Sequence, residues 1–454
     1  MASLSNVDRE LLERYGSEAF MYVEYPHKRF WQKQTDDTVF RSGLASIFEA
    51  DPTTPLMLYV HIPYCHKQCL FCTCHVEIEL RYAVVRRYMD YLGREIDMLA
   101  NFLKERGIVP NIREIHLGGG SPTYPKAPEF DALVDRLAAI ADFSALDEFA
   151  IEIDPRRVKP DGMAYYKSKG INRVSFGVQD FDQSVQKAVD RVQPLYLTER
   201  LLTPEIRSMF PNGVNFDILC GLPHQTRETF ETTMAEVIRL SPDRICVNYM
   251  HLSPKFNQHQ LKMPLDTIPD MFRKKEMFLD AAERLTRAGY IRTGYDHFAK
   301  SDDPVALAMT TGNMQWNRLG VTSGRYSSTI GLGVSSTGTL GDGGYYQNYY
   351  DVPDYEAAID RELFPVGLGY VLNDEDKVRR DIIQNLRSYF LLVKSDYEHA
   401  LDGSFDENFA AEIQKLSDFV ENDLVIITDE KIEITELGFQ FSNLIASVFD
   451  THIN

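Results

Sequence analysis

The chain has 454 residues, a formal net charge of −19 and a hydrophobic fraction of 44%. The negative charge argues against a nucleic acid as the main partner, because phosphate binding requires a concentrated basic face. No stretch reaches the ~18 consecutive apolar residues of a membrane-spanning helix, and the N-terminus lacks an apolar signal core. We therefore predict a cytoplasmic protein, which would reach a lipid-soluble substrate by peripheral contact with a membrane surface.

The predicted elements begin with residues 1–55, an N-terminal extension that we expect to pack as a lid over the main domain. Over 56–300, short β-rich runs alternate with longer amphipathic helical stretches. Six of these runs are predicted strands: 56–62, 113–118, 148–153, 173–178, 213–219 and 244–250. Such alternation implies parallel βαβ units. We therefore predict an α/β fold, a partial (β/α)6 TIM-like barrel with its chemistry where the strands end.

Two further segments follow the predicted barrel. Residues 301–351 are rich in glycine and serine, and we expect them to close one side of the site. Residues 352–454 are expected to form a small helical, winged-helix-like domain that ends in a hairpin-like run and a helix. Because the chain is so acidic, DNA binding is not the expected role of that domain.

A tight group of cysteines, Cys65, Cys69, Cys72 and Cys74, directly follows the first predicted strand. A disulfide framework would spread its cysteines along the chain, so this grouping indicates a metal site. The C-x3-C-x2-C spacing of the first three suits a [4Fe–4S] cluster with one iron left open to a small molecule. A zinc knuckle is the alternative, since Cys74 or His75 offers a fourth ligand, but zinc sites favour C-x2-C pairs.

The run YVHIPYCHKQCLFCTC (59–74) carries the signature of radical S-adenosylmethionine (SAM) enzymes. It resembles the oxygen-independent coproporphyrinogen III dehydrogenase family. The resemblance continues through GGGSPTY (118–124), IEIDPR (151–156), RVSFGVQDFD (173–182), FDILCGLP (216–223), YDHFAKSDDPVA (295–306) and GLGVSS (331–336). It implies that Cys65, Cys69 and Cys72 hold a [4Fe–4S] cluster that cleaves SAM reductively to a 5′-deoxyadenosyl radical.

The resemblance also implies a SAM-binding set. Its members are Tyr59, Phe71, Gly118, Gly119, Gly120, Ser121, Glu152, Gln179, Arg191 and Asp217. The glycines would let the backbone approach the SAM amino group. Glu152 would accept the ribose hydroxyls, and the Arg191 guanidinium would grip the SAM carboxylate. Cys74 would lie near a second SAM, and Cys74 and Tyr59 are the candidate catalytic residues.

The sequence departs from that family in the region expected to cover the substrate. Arg318 and Leu319 replace an aromatic and an amide residue, and Thr337 replaces an aliphatic one. Because Leu319 suits a flat, apolar substrate, these changes favour a class C radical SAM methyltransferase that uses two SAM molecules. The leading candidate reaction is methylation of menaquinone at C8.

Two alternatives stay open beside the methyltransferase. The first is oxidative decarboxylation of coproporphyrinogen III, in which the radical abstracts a propionate hydrogen and CO2 leaves. The second is a haem-binding chaperone, which the presence of Cys74 disfavours. The resemblance further implies a flavodoxin- or ferredoxin-type electron donor. Whether Asp296 and His297 do proton chemistry or only build the wall of the site is not decided by the sequence.

Overall fold

The computed structural model of the chain describes residues 9–15, 25–317 and 319–453. The helices are α1 (Arg9–Tyr15), α2 (Thr38–Ala50), α3 (Tyr82–Glu105), α4 (Ala127–Ala138), α5 (Pro160–Ser168), α6 (Gln183–Ala188), α7 (Tyr196–Glu199), α8 (Pro204–Met209), α9 (Arg227–Leu240), α10 (Met271–Arg287), α11 (Pro304–Thr310), α12 (Val352–Asp360), α13 (Asp374–Ser388), α14 (Phe405–Asn408), α15 (Ala410–Glu421) and α16 (Ser442–Ser447). None of the helices in these described ranges is long and apolar enough to cross a bilayer.

The strands form one large sheet and three small ones. They are β1 (Gln32–Lys33), β2 (Pro55–Ile62), β3 (Tyr64–Cys65), β4 (Glu77–Ile78), β5 (Asn111–Gly119), β6 (Glu148–Ile153), β7 (Arg173–Gln179), β8 (Val214–Cys220), β9 (Arg244–Tyr249), β10 (Ile291–Arg292), β11 (His297–Ala299), β12 (Gln315–Asn317), β13 (Gly320–Thr322), β14 (Ser328–Leu332), β15 (Thr337–Leu340), β16 (Tyr345–Asn348), β17 (Val366–Tyr370), β18 (Leu391–Val393), β19 (Val425–Ile427) and β20 (Lys431–Ile434).

The large sheet has 13 strands in the order β1-β17-β16-β15-β14-β2-β5-β6-β7-β8-β9-β11-β10. All neighbours from β14 to β9 pair in parallel. The six strands expected from the sequence are β2 and β5–β9, and the predicted α/β fold with a parallel, barrel-like sheet is confirmed. Parallel strands need crossover connections, which helices such as α3, α4 and α9 supply here.

The Gly/Ser-rich segment contributes β14, which extends the parallel sheet beside β2 instead of joining the far edge at β9. From β14 the chain turns back through the antiparallel strands β15, β16 and β17. At the other edge, β11 and β10 also run antiparallel. The sheet therefore leaves an open side between its two edges.

The C-terminal region has a core of its own. Helices α13, α15 and α16 pack with the three-stranded sheet β18-β20-β19 around buried residues such as Ile382, Leu416 and Phe449. Within the N-terminal extension, α1 packs on this region, where the Tyr15 ring stacks on Phe419 at 5.0 Å. Residues 1–8 and 16–24 of the extension predicted as a lid lie outside the described residues.

Glu95 of α3 is fully buried and fixes the turn that follows β14. Its Oε2 accepts hydrogen bonds from the Gly333 amide and the Tyr355 hydroxyl, both at 2.7 Å, and its Oε1 accepts one from Asn348 at 2.8 Å. Burial raises the pKa of Glu95 from 4.5 to about 7. The folded protein therefore favours the protonated carboxyl.

We expect the free energy of unfolding to fall as pH rises from about 4.5 to about 7. Over this range the unfolded chain has already released the Glu95 proton and the folded chain still holds it, so the full effect is about 3 kcal/mol. Urea unfolding of Glu95→Gln at several pH values should lack this part of the slope. The matched control is Glu105→Gln, at the exposed end of the same helix. Equal slopes for wild type and Glu95→Gln would contradict the assignment.

Candidate active site

The three cysteines lie on one loop that starts at the end of β2. Cys65 ends β3, which pairs in parallel with β4. The Leu70 amide donates to the Val189 carbonyl at 3.0 Å, and the Cys72 amide donates to the Cys69 carbonyl at 3.1 Å. These backbone bonds hold the loop at the carboxyl edge of the parallel strands, where the chemistry of such sheets is expected.

Two guanidinium groups face Cys69. Arg191 Nη1 lies 3.5 Å from the sulfur and Arg156 Nη2 lies 3.7 Å from it. Asp154 pairs with Arg156 at 2.7 Å and with Arg191 at 3.7 Å, which orients both cations. Both guanidinium groups lie where they would offset the negative charge of a metal-bound thiolate. Burial raises the pKa of Cys65 to about 12, so iron would have to displace a proton there.

The donor set fits an iron–sulfur cluster better than a zinc ion. In the described part of the chain, the one group of three candidate ligands whose donor atoms lie within 4.8 Å of one another is Cys246, Asp296 and His297. The sulfurs of Cys65, Cys69 and Cys72 are thus spread more widely than tetrahedral zinc requires, about 3.8 Å for bonds of 2.3 Å. A cubane spaces its thiolates further apart. A buried atom without a partner, Nε of Arg191, adds a donor beside the same sulfurs.

The glycine run follows β5 and leaves no room for side chains. A Cβ on Gly120 would lie 2.4 Å from the Pro63 carbonyl oxygen, and one on Gly118 would lie 2.8 Å from Glu152 Oε1. The Gly120 amide donates to the Ile62 carbonyl at 2.9 Å, which ties this run to the cysteine loop. Gly119 has φ of +114°, and Ser121 bonds Thr123 at 3.2 Å.

Polar side chains line the barrel interior next to the cysteines. The Tyr59 hydroxyl bonds His61 Nδ1 at 2.9 Å, and His116 Nε2 bonds Glu152 Oε1 at 3.1 Å. Burial lowers the pKa of His61 to about 4, so this imidazole is neutral near pH 7. The strand register pairs Tyr59 with His116 across β2 and β5, which brings them to the same layer of the interior.

Asp217 on β8 lies in the same interior. It accepts hydrogen bonds from Ser175 and Asn215, both at 2.9 Å. Burial, and then the nearby charge of Glu152, raise the pKa of Asp217 above its ordinary value. Gln179 ends β7 with φ of +69°, and its side-chain nitrogen approaches Gly177. Asp217 and Glu152 therefore lie near each other in the barrel interior.

Arg191 also donates to the Gly177 carbonyl at 2.5 Å, so its guanidinium bridges the end of β7 and the cysteine loop. Phe71 joins an apolar cluster with Leu219 and Met250. Cys74 is exposed, and its thiol hydrogen-bonds that of Cys72. Cys74 thus lies at the rim of the cysteine site.

A cavity of about 310 Å³ lies where the C-terminal region covers the open side of the sheet, a size typical of small-molecule sites. Leu319 and Thr337 line it, as do Tyr25, Trp31, Trp316 and Tyr345. Three arginines also line it, Arg325, Arg380 and Arg387, with one lining carboxylate, Asp381, and Arg380 is paired with Asp342 at 2.9 Å. Arg387 stacks on Trp316, with its guanidinium carbon 3.8 Å from the ring centroid. This basic cavity stands out in a chain with a net charge of −19.

Several residues at the site were missed by the sequence interpretation. His61, Asp154 and Arg156 all contact the predicted set, and all three lie inside the motifs on which the resemblance depends. His116 was missed because it precedes its motif by two residues. The cavity arginines carried no sequence signal, since they come from two distant segments.

The chain is similar to known proteins along its whole length. A model of the radical SAM superfamily matches residues 59–237. The oxygen-independent coproporphyrinogen III oxidase of Helicobacter pylori is 32% identical over 453 residues, covering 99% of this chain and 98% of that protein. The one from Pseudomonas aeruginosa is 34% identical over 98% of this chain and 96% of its own length. The solved structure of coproporphyrinogen III oxidase from Escherichia coli superposes with a TM-score of 0.89 at 31% identity, covering 98% and 99% of the two chains.

These full-length similarities show that the methyltransferase interpretation, with menaquinone as substrate, is wrong. The apolar residue Leu319 was given too much weight in predicting the substrate. The cavity that it lines also contains three arginines and is therefore not purely apolar. The chain retains the cysteine loop, the glycine run and the carboxylates of the barrel interior, and it belongs to the family of oxygen-independent coproporphyrinogen III oxidases within the radical SAM superfamily.

Proposed function

We propose that this protein oxidatively decarboxylates coproporphyrinogen III to protoporphyrinogen IX. Each of two propionate groups becomes a vinyl group: the 5′-deoxyadenosyl radical would take one hydrogen atom, CO2 would leave, and the remaining electron would pass to a one-electron acceptor. The proposal is supported by the similarity to coproporphyrinogen III oxidases along the whole chain. Its main structural support is the arginine-lined cavity, which suits a substrate with four carboxylates.

Cys65, Cys69 and Cys72 would hold the [4Fe–4S] cluster, which together with SAM supplies the abstraction of a hydrogen atom. The residues of this chain would orient the reactants. Glu152, whose carboxylate lies next to Gly118, would accept hydrogen bonds from the two ribose hydroxyls. Phe71 and its apolar neighbours would exclude water from the adenine side.

A second SAM molecule is part of the proposal. Cys74 lies exposed beside Cys72, and Thr337 lines the substrate cavity. Anaerobic equilibrium dialysis of the reconstituted protein would give the SAM stoichiometry, with two per chain expected. A small electron carrier of the flavodoxin or ferredoxin type is a further expectation, to be tested by reconstitution with each.

The decisive experiment is an anaerobic assay of the reconstituted protein with reductant, methyl-deuterated SAM and coproporphyrinogen III. We expect two successive losses of CO2 plus two hydrogens in the mass spectrum, together with 5′-deoxyadenosine. Menaquinone is assayed in parallel and should gain no labelled methyl group. Tight haem binding without SAM consumption would instead indicate a chaperone and contradict the proposal.

Replacing cavity arginines should raise KM for coproporphyrinogen III. We expect Arg380→Gln and Arg325→Gln each to raise it about tenfold, because each charge-assisted hydrogen bond to a carboxylate contributes about 1.5–3 kcal/mol. The value of kcat should change little, since these residues bind the substrate away from the cysteines. Arg361→Gln, at the exposed end of α12, is the matched control. An unchanged KM in both cavity variants would contradict this placement of the substrate.

A further inference from the structure

A histidine–aspartate pair, Asp296 and His297, lies at the start of β11. His297 Nδ1 lies 2.6 Å from Asp296 Oδ1, and the two side chains are only 12% and 15% exposed. The Asp296 carboxylate also accepts a hydrogen bond from Trp316, a residue of the cavity wall. Asp296 therefore connects the histidine of β11 to the wall of the cavity.

The strand register turns His297 toward the interior. His297 pairs with Cys246, and Cys246 pairs with Asp217, so the three residues occupy one layer across β11, β9 and β8. Asp217 lies near enough to Glu152 for that charge to raise its pKa. The imidazole thus belongs to the same layer as the carboxylates proposed to bind SAM.

The other ring nitrogen, Nε2, points to the loop that borders the cavity. No residue in the described ranges hydrogen-bonds it, and a Cβ on Gly320 would lie only 3.1 Å away. Gly320 has φ of +121°, a conformation that favours glycine. Its neighbours Asn317 and Leu319 line the cavity. The loop that contributes Asn317 and Leu319 to the cavity wall therefore also approaches the imidazole edge at Nε2.

Two explanations of the pair differ in chemistry. The donor atoms of Cys246, Asp296 and His297 lie within 4.8 Å of one another, as a metal site would require. However, Nδ1 already bonds the Asp296 carboxylate, and a metal would have to displace the proton between them. A carboxylate that accepts from Nδ1–H stabilises the imidazolium and fixes the direction of Nε2–H. This arrangement suits the binding of an anion at Nε2.

We propose that the His297 imidazolium binds one carboxylate of the tetrapyrrole through Nε2–H, with Asp296 as its positioning residue; this assignment rests on the proposed function. The charged groups around the imidazole show why a substrate carboxylate would need a cation at this position. Asp296 and Asp217 face it directly, the Cys246 thiol lies 3.9 Å away, and Arg387 faces Asp296 from α13. Without a cation at His297, a substrate carboxylate would face the two aspartates.

The test measures binding without turnover. The reconstituted protein, kept anaerobic and without reductant, is titrated with coproporphyrin III, the fluorescent oxidised form of the proposed substrate. We expect His297→Leu to weaken binding about tenfold or more and His297→Gln, which keeps a neutral donor, to weaken it about threefold. His399→Gln, at an exposed histidine of the C-terminal region, is the matched control.

Comparison of the two variants separates a hydrogen-bonding role from a merely structural one, because only His297→Gln keeps a donor at this position. Gly320→Ala, which crowds Nε2, should weaken binding although His297 is present. If wild type, His297→Gln and His297→Leu share one affinity, the assignment fails and the proposed function stands. If wild type binds no coproporphyrin III and shows no decarboxylation, both fail.

Discussion

Alanine in place of any one of Cys65, Cys69 or Cys72 is expected to abolish SAM cleavage. A cluster that already leaves one iron to the small molecule cannot lose a second protein ligand without losing stability. The expected rate of 5′-deoxyadenosine formation is at least about 10³-fold below wild type, because the reaction depends entirely on the electron from the cluster. Iron content and the electron paramagnetic resonance spectrum of the reduced protein report the loss directly.

Cys74→Ala is the matched control for this series, since Cys74 lies in the same loop and its thiol touches that of Cys72. We expect Cys74→Ala to keep the iron content and the spectrum of the reduced cluster. We expect it to lose decarboxylation activity, because Cys74 is proposed to lie near the second SAM. Cys220→Ala, at a buried cysteine of β8, controls for the removal of any thiol. If Cys74→Ala lost the cluster as completely as Cys69→Ala, Cys74 would have to be counted as a fourth metal ligand. A zinc site with four ligands would then have to be considered again.

Gly120→Ala is expected to have the second large effect. Its Cβ would meet the Pro63 carbonyl oxygen at 2.4 Å and the carbonyl carbon at 2.6 Å, and both are backbone atoms that no rotamer change can move. The glycine run and the cysteine loop would have to separate, although the Gly120 amide bonds the Ile62 carbonyl. We expect SAM affinity to fall by about 10²-fold, because misplacement by about 1 Å costs this much where geometry is preorganised.

The measurement for Gly120→Ala is SAM binding by anaerobic equilibrium dialysis, with iron content determined on the same sample. Gly343→Ala is the matched control, because a Cβ there would find only ordinary contacts, the nearest at 3.4 Å. Wild-type affinity in Gly120→Ala would show that the two loops can move apart freely. It would also remove this run from the proposed SAM site.

The sequence by itself determined the barrel strands and the cysteine site. The six predicted strands all occur, within two residues of their predicted ends, because buried parallel strands are continuous apolar runs that need no partner to be recognised. The cysteines, the glycine run and Glu152 lie in local motifs directly after strands, so parallel pairing alone brings them to one edge. The positions of these side chains follow from short stretches of chain.

Only the tertiary structure decided which residues line the proposed substrate cavity. Arg325 and Arg380 are separated by more than fifty residues, and they meet because α13 of the C-terminal region covers the open side of the sheet. The same long-range packing places Trp316 against Asp296 and Gly320 against His297. In the sequence, the single residue Leu319 suggested an apolar substrate. In the fold, three arginines line the same cavity as Leu319, and they favour an anionic substrate. Local pattern predicts elements and their motifs, whereas the charge of a cavity is a sum over distant segments that only packing brings together.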